Sequence, residues 1–208
     1  MIPSDTWLPL FPLNAVLFPQ GILPLKVFEA RYTDMVRDCM KSETPFGVVL
    51  IKAGPEIGGT AEPEEVGTLA YIKQWDMENL GVLLLRTEGG DRFRIIETRV
   101  LDDNRLEARV EMLEPDDVPP VSDAHLACAK TLKIVMDEIN GKGRAEQGSG
   151  FDSPFADPAR LDDAGWVANR WCEILPIPLK ARQKLLELDD AESRLSVVHQ
   201  YLVQHKII

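Results

Sequence analysis

The chain has 208 residues, 45% of them hydrophobic, enough for one large domain or for a domain with a helical appendage. Its 34 acidic against 23 Lys and Arg residues give a formal net charge of -11, a balance that disfavours phosphate backbones and anionic headgroups where no basic patch overrides it. Cys39, Cys128 and Cys172 are odd in number and far apart, which excludes a disulfide framework and a CxxC motif and fits a reducing cytoplasm.

The first run, LPLFPLNAVLFPQGILPLKVFEARYTDMV from Leu8 to Val36, sets Pro9, Pro12, Pro19 and Pro24 into apolar sequence. It lacks the basic lead-in and unbroken apolar segment of a secretory signal, and its prolines break any membrane-spanning helix, so it reads as mature, soluble sequence. Prolines suit short edge strands and corners, where no N–H is owed to a ladder. A helix follows, because Tyr32, Met35, Val36, Cys39 and Met40 recur at helical spacing with charged residues between them.

Beyond it come FGVVLIKA from Phe46, a Gly/Pro/Glu loop from Gly54 to Glu65, and four strand-like runs: VGTLAYIKQWDM, LGVLLLRTE, DRFRIIETRVL and RLEARVEML. Turns are expected at Glu78-Asn79, Gly89-Gly90-Asp91 and Asp102-Asp103-Asn104, the spacing of an antiparallel barrel or meander. The stretch EPDDVPPVSD changes the element type, placing a boundary near residue 116, with a barrel over 1–116 and a helical bundle over 117–208. In the bundle, Ser122 or Asp123 caps a helix ended by Asn140-Gly141, and GKGRAEQGSGFDSPFADPA reads as a mobile loop. A second helix covers Leu161 to Ile174 and a third KARQKLLEL. The fourth starts at Asp189 with Glu192 reaching back, and Ala191, Leu195, Val198 and Leu202 line one face.

The proline-spaced L-x-x-F-P-L, V-L-F-P and F-E-x-R-Y of the first run, followed by FGVVL, VGTLAYI, RFRI and the late PIPLKARQKLLELDDAESRL, resemble the amino-terminal substrate-recognition domain of Lon protease, which is also found free-standing and inside cereblon. The likeness covers nearly the whole chain. It implies an α+β protein, a PUA-like antiparallel β-barrel followed by a C-terminal helical bundle, and a role in recognising protein segments. Gln20 departs from the family, which usually carries glycine after V-L-F-P; glutamine at positive φ costs about 1 kcal/mol or more.

No enzyme chemistry is expected. In GPEIGGT, Thr60 stands where a phosphate loop needs Lys, and no G-x-S-x-G serine elbow exists. At this length the ATPase and Ser-Lys peptidase modules of a whole Lon protease have no room. His125 and Cys128 have i, i+3 spacing, but a metal site needs a third ligand, while His199 and His205 read as solvated. No cofactor is expected. Glu29, Arg31 and Tyr32 form a tempting cluster, read as a helix-start acid with Arg31 turned to solvent or paired locally. Arg92, Arg94 and Arg99 could meet an anion, and PUA-like domains elsewhere bind RNA. Arg105 and Arg109 alternate with Glu107 and Glu111, however, the mark of a neutralised solvated face.

A binding module remains, taking protein or unfolded polypeptide segments, with neither membrane nor nucleic acid as its expected partner. The alternatives are an RNA-binding barrel and an intracellular scaffold using the bundle. In VGTLAYIKQWDM strict alternation puts Leu69, Tyr71, Trp75 and Met77 on one face, and large adaptable apolar groups near a rim suit peptide contact. Trp75, Met77 and Tyr71 are therefore the candidate contact residues. Trp7 is expected to lie too near the terminus to be held rigidly, and Trp166 and Trp171 belong to the bundle.

Overall fold

The structure, a computed structural model, describes residues 7–79, 81–116 and 118–208, and the chain divides into two compact units, up to Pro115 and from Asp116. The first contains β1 (Leu8–Leu13), β2 (Ile22–Val27), α1 (Ala30–Ser42), β3 (Phe46–Ala53), β4 (Glu62–Asn79), β5 (Val82–Val100) and β6 (Leu106–Met112). The sheet order is β2-β5-β4-β3-β1-β6, and β6 also pairs with β5, closing five strands into a barrel with β2 added outside β5. All pairings are antiparallel except β1 with β3. That parallel pair is possible because β2 and α1 supply the long crossover it needs.

Two apolar clusters hold this unit, one on each face of the sheet. Leu8, Leu10, Val49, Leu69, Phe93, Leu106 and Ala108 form one. Phe11, Leu13, Phe46, Val48, Leu83 and Leu85 meet Tyr32, Met35, Val36 and Cys39 of α1 in the other, where the Phe11 and Tyr32 rings stack 4.3 Å apart. The Phe93 ring fits because Gly47 and Gly67 face it: a Cβ there would come within 2.7 and 2.6 Å of its tip.

The turn expected at Gly89-Gly90-Asp91 is absent. β5 runs through it, and the register slips by one residue between Thr68 and Ala70 of β4. The glycines serve close approach instead. A Cβ on Gly89 would lie 2.2 Å from the Phe18 carbonyl oxygen, and one on Gly90 2.4 Å from the Tyr71 ring. Two of the expected strands are thus one bulged, bent strand, the usual way a barrel turns a corner.

The second unit contains α2 (Leu126–Gln147), α3 (Ala164–Ile174), α4 (Leu179–Glu187) and α5 (Ala191–Gln204). α2 does not stop at Asn140-Gly141 but continues to Gln147, so part of the expected mobile loop is helix. The Phe151 ring packs where a Cβ of Gly143 would be, 1.9 Å away, and Phe155 is buried; this apolar cover offsets the helix cost of glycine, about 1 kcal/mol per residue. The caps differ as well. Asp163 accepts from the Trp166 N–H, and Asp190, not Asp189, caps α5 by accepting from the Ser193 N–H. Ser122 makes no cap bond; its hydroxyl faces His125 Nδ1 at 3.2 Å.

Candidate functional site

β3 covers β4 only as far as the pair Phe46 and Ala70. From Tyr71 to Asn79 the β4 backbone is paired on one side alone among the described residues, with β5. This projecting segment carries Trp75, 55% exposed, and Met77, 52% exposed. Trp75 lies opposite Leu85 and Met77 opposite Leu83, and both leucines are buried in the α1 cluster. Opposed residues share a face of a sheet, so the indole and the thioether extend the α1-side apolar face beyond its covered part, next to Leu23, Leu25 and Ile72.

Tyr71 is not with them. The register shifts between Ile72 and Gln74, leaving Lys73 as the extra residue, and Tyr71 falls opposite Glu88 on the other face. One bulge thus separates three residues that strict alternation places together. Trp75 and Met77 form a pair, while Tyr71, 40% exposed, lines a groove of about 750 Å³ with Trp7 and Met112. Sequence reasoning discounted Trp7. The Arg99 guanidinium lies 4.2 Å over its ring and is itself held by Glu107 through bonds of 2.8 and 2.6 Å. No local sequence signal could have paired Trp7 with Arg99, whose positions are brought together only by barrel closure.

The other candidates resolve into structural roles. Arg92 is buried, Arg94 faces Glu111 across the ladder, and Arg109 pairs with Glu97 at 3.5 Å, so the basic row is neutralised strand by strand. His125 and His199 meet edge to face, ring centroids 5.2 Å apart, and burial followed by the neighbouring His199 lowers the His125 pKa. The thiols are muffled by burial, Cys128 pushed up to about 11 and Cys172 to about 12. Among the described residues no three His, Cys, Asp or Glu side chains gather to hold a metal ion. No described helix is long and apolar enough to cross a membrane.

A family model described as the ATP-dependent protease La (LON) substrate-binding domain matches residues 7–204. The chain belongs to the Lon substrate-binding domain family. A structure titled Lon N-terminal domain protein from Xanthomonas campestris superposes with a TM-score of 0.75 at 35% identity, covering 94% of this chain and 98% of that one. The N-terminal domain of Mycobacterium avium complex Lon protease gives a TM-score of 0.64 at 16% identity, which speaks for the shared PUA-like fold alone. Lon protease of Anaeromyxobacter dehalogenans is 28% identical over 198 residues, 94% of this chain but 23% of that protein. Lon protease 2 of Desulfotalea psychrophila is also 28% identical, over 93% of this chain and 24% of its own length. The chain thus spans about a quarter of these curated relatives.

Within this Lon-type domain the F-E-x-R-Y motif is a clamp. The Arg31 side chain is only 9% exposed, so of the two expected places, solvent or a local pair, the structure shows the local pair with Glu29 together with longer-range bonds. Its Nη1 donates to the carbonyls of Gly59 at 2.7 Å and Asn104 at 2.9 Å, Nη2 pairs with Glu29 at 3.0 Å, and the guanidinium lies 4.5 Å over the Tyr32 ring. Glu29 also accepts from the Gly58 N–H. The GPEIGGT loop is therefore tied to α1 and to the β5–β6 turn. Gln20 does adopt positive φ, 59°, in a turn closed by the Gly21 N–H on the Phe18 carbonyl.

Proposed function

We propose that the chain recognises extended apolar segments of other polypeptides in the cytoplasm, performing no chemistry of its own and serving as an adaptor or regulator of proteolysis. The observation that carries this reading is the half-exposed pair Trp75 and Met77 on a strand whose outer edge has no partner from Tyr71 onward among the described residues. A free strand edge offers alternating donors and acceptors to an added strand, and an adaptable apolar pair beside it supplies the contact that a folded, polar-surfaced protein would not satisfy. Membership of the substrate-binding family agrees with it, and the neutralised arginines leave nothing that favours RNA.

The test is binding of a reduced, alkylated and permanently unfolded protein, followed by anisotropy. Trp75→Ala should weaken binding by about 2 kcal/mol, the scale of an interface hot spot, with a loss of stability far below the roughly 3 to 5 kcal/mol of a core aromatic deletion. A folded variant that binds at full strength would remove Trp75 from the site. The purified chain should neither hydrolyse ATP nor cleave casein; turnover abolished by a point change in this chain would refute the non-catalytic part.

A further inference from the structure

The groove beside Tyr71 joins apolar walls to an acidic rim. Its apolar walls are the rings of Trp7 and Tyr71 and the Met112 thioether, and its rim carries Glu43, Asp91 and Glu114, all three exposed. Among the described residues no Lys, Arg or His is in its lining, and the Arg99 guanidinium on the Trp7 ring is held by Glu107. Its volume of about 750 Å³ accommodates a few side chains, within the roughly 300 to 1,000 Å³ of ligand pockets. Carboxylates of one sign around a concave, low-dielectric surface focus a negative potential, and tryptophan and tyrosine faces attract cations. The fold already makes one such contact, Arg99 over Trp7. The unpaired β4 edge begins at Tyr71 itself, so a segment leaving the groove meets a backbone ready to hold it extended.

We infer that this groove selects, among apolar polypeptide segments, those in which the apolar residue is flanked by Lys or Arg. The inference rests on the reading of the chain as a polypeptide-recognition module and adds a substrate class to it. The alkyl stem of a lysine or arginine covers aromatic surface while its head stays at the carboxylates, whereas an Asp or Glu flank meets like charge.

The experiment uses two peptides with one shared apolar core, one flanked by Lys and the other by Glu. At low ionic strength the chain should bind the Lys-flanked peptide about tenfold more tightly, the preference shrinking as salt is added. The variant Glu43→Gln, Asp91→Asn, Glu114→Gln should bring the two affinities within about twofold. Glu138→Gln, Glu146→Gln, Asp152→Asn, an equal charge change in the other unit, should keep the preference, which separates the groove from the overall negative charge. Trp75→Ala should weaken both peptides and leave their ratio. Equal binding of the two peptides, or a preference that survives neutralisation of the groove, overturns this inference while the recognition reading stands. Binding of neither peptide defeats both.

Discussion

The two units solve the same problem, a stable interior, with different chemistry. In the barrel unit the sheet satisfies the strand backbone, the interior among the described residues is apolar apart from Thr68, Thr87 and Arg92, and the Arg31 clamp sits at the rim on loop carbonyls. In the helical unit the polar groups are inside. Arg194 is fully buried; its Nε donates to the Leu185 carbonyl at 2.9 Å, Nη2 to the Leu188 carbonyl at 2.5 Å, and Nη1 to Asp116 at 2.6 Å and Asn169 at 3.0 Å. Arg182 donates to the Leu175 carbonyl at the end of α3. Arg170, also buried, forks onto Glu173 through two bonds of 2.7 Å, and burial raises the Glu173 pKa despite that partner. The difference follows from backbone accounting. Barrel closure leaves few strand groups over, whereas short helices broken at LPIP and at Leu188 each end in carbonyls without an intrahelical donor, and arginine can reach several at once.

The strongest way to break this comparison is a pair of deletions. Phe93→Ala and Arg194→Met should each cost about 3 to 5 kcal/mol in urea denaturation, the first through a cavity and the second through a stranded carboxylate and carbonyls. They should differ in rescue. Adding Asp116→Leu to Arg194→Met should recover part of the loss, since an apolar replacement of both partners removes the stranded charge. Unchanged stability in that double variant would show that the carbonyl bonds, not the ion pair, set the cost.

A smaller effect is expected at the barrel corner. Gly89→Ala drives a methyl group into the Phe18 carbonyl and should cost about 1 to 3 kcal/mol; a neutral result would show that the corner yields. Smaller again, and of opposite sign, Gln20→Gly should stabilise by up to about 1 kcal/mol, because glycine adopts φ near 59° without the side-chain penalty. A lower melting temperature would mean that the Gln20 side chain contributes more than its backbone costs.

The least effect belongs to the histidine pair of the helical unit. With the folded His125 pKa below its ordinary value, the unfolded chain binds more protons, so stability is full above about pH 6.5 and falls as pH drops toward the folded pKa. His199→Gln removes the neighbouring imidazole, the second cause of that shift, and should flatten the acid-side slope. An unaltered slope would assign it to other groups.

Much of this was legible in the sequence. The α1 stripe of Tyr32, Met35, Val36 and Cys39 was readable because helical burial follows a local period, and the proline-spaced motifs marked the Lon-type fold because their spacing is long and unusual. Trp75 and Met77 were readable as rim residues because they lie near a strand end. Register was not. The bulge at Lys73 and the passage of β5 through Gly89-Gly90 depend on which residue of the neighbouring strand stands opposite, and β-pairing has no local sequence period beyond alternation. The same holds for Trp7 under Arg99, Phe151 over Gly143 and Arg194 on Asp116. The sequence by itself determined most of the elements, though not the passage of β5 through Gly89-Gly90 or the end of α2, together with the apolar stripes and the family, all carried by neighbours along the chain. Only the tertiary structure decided which aromatic residues share a face and which charges are buried, because those depend on partners tens of residues away.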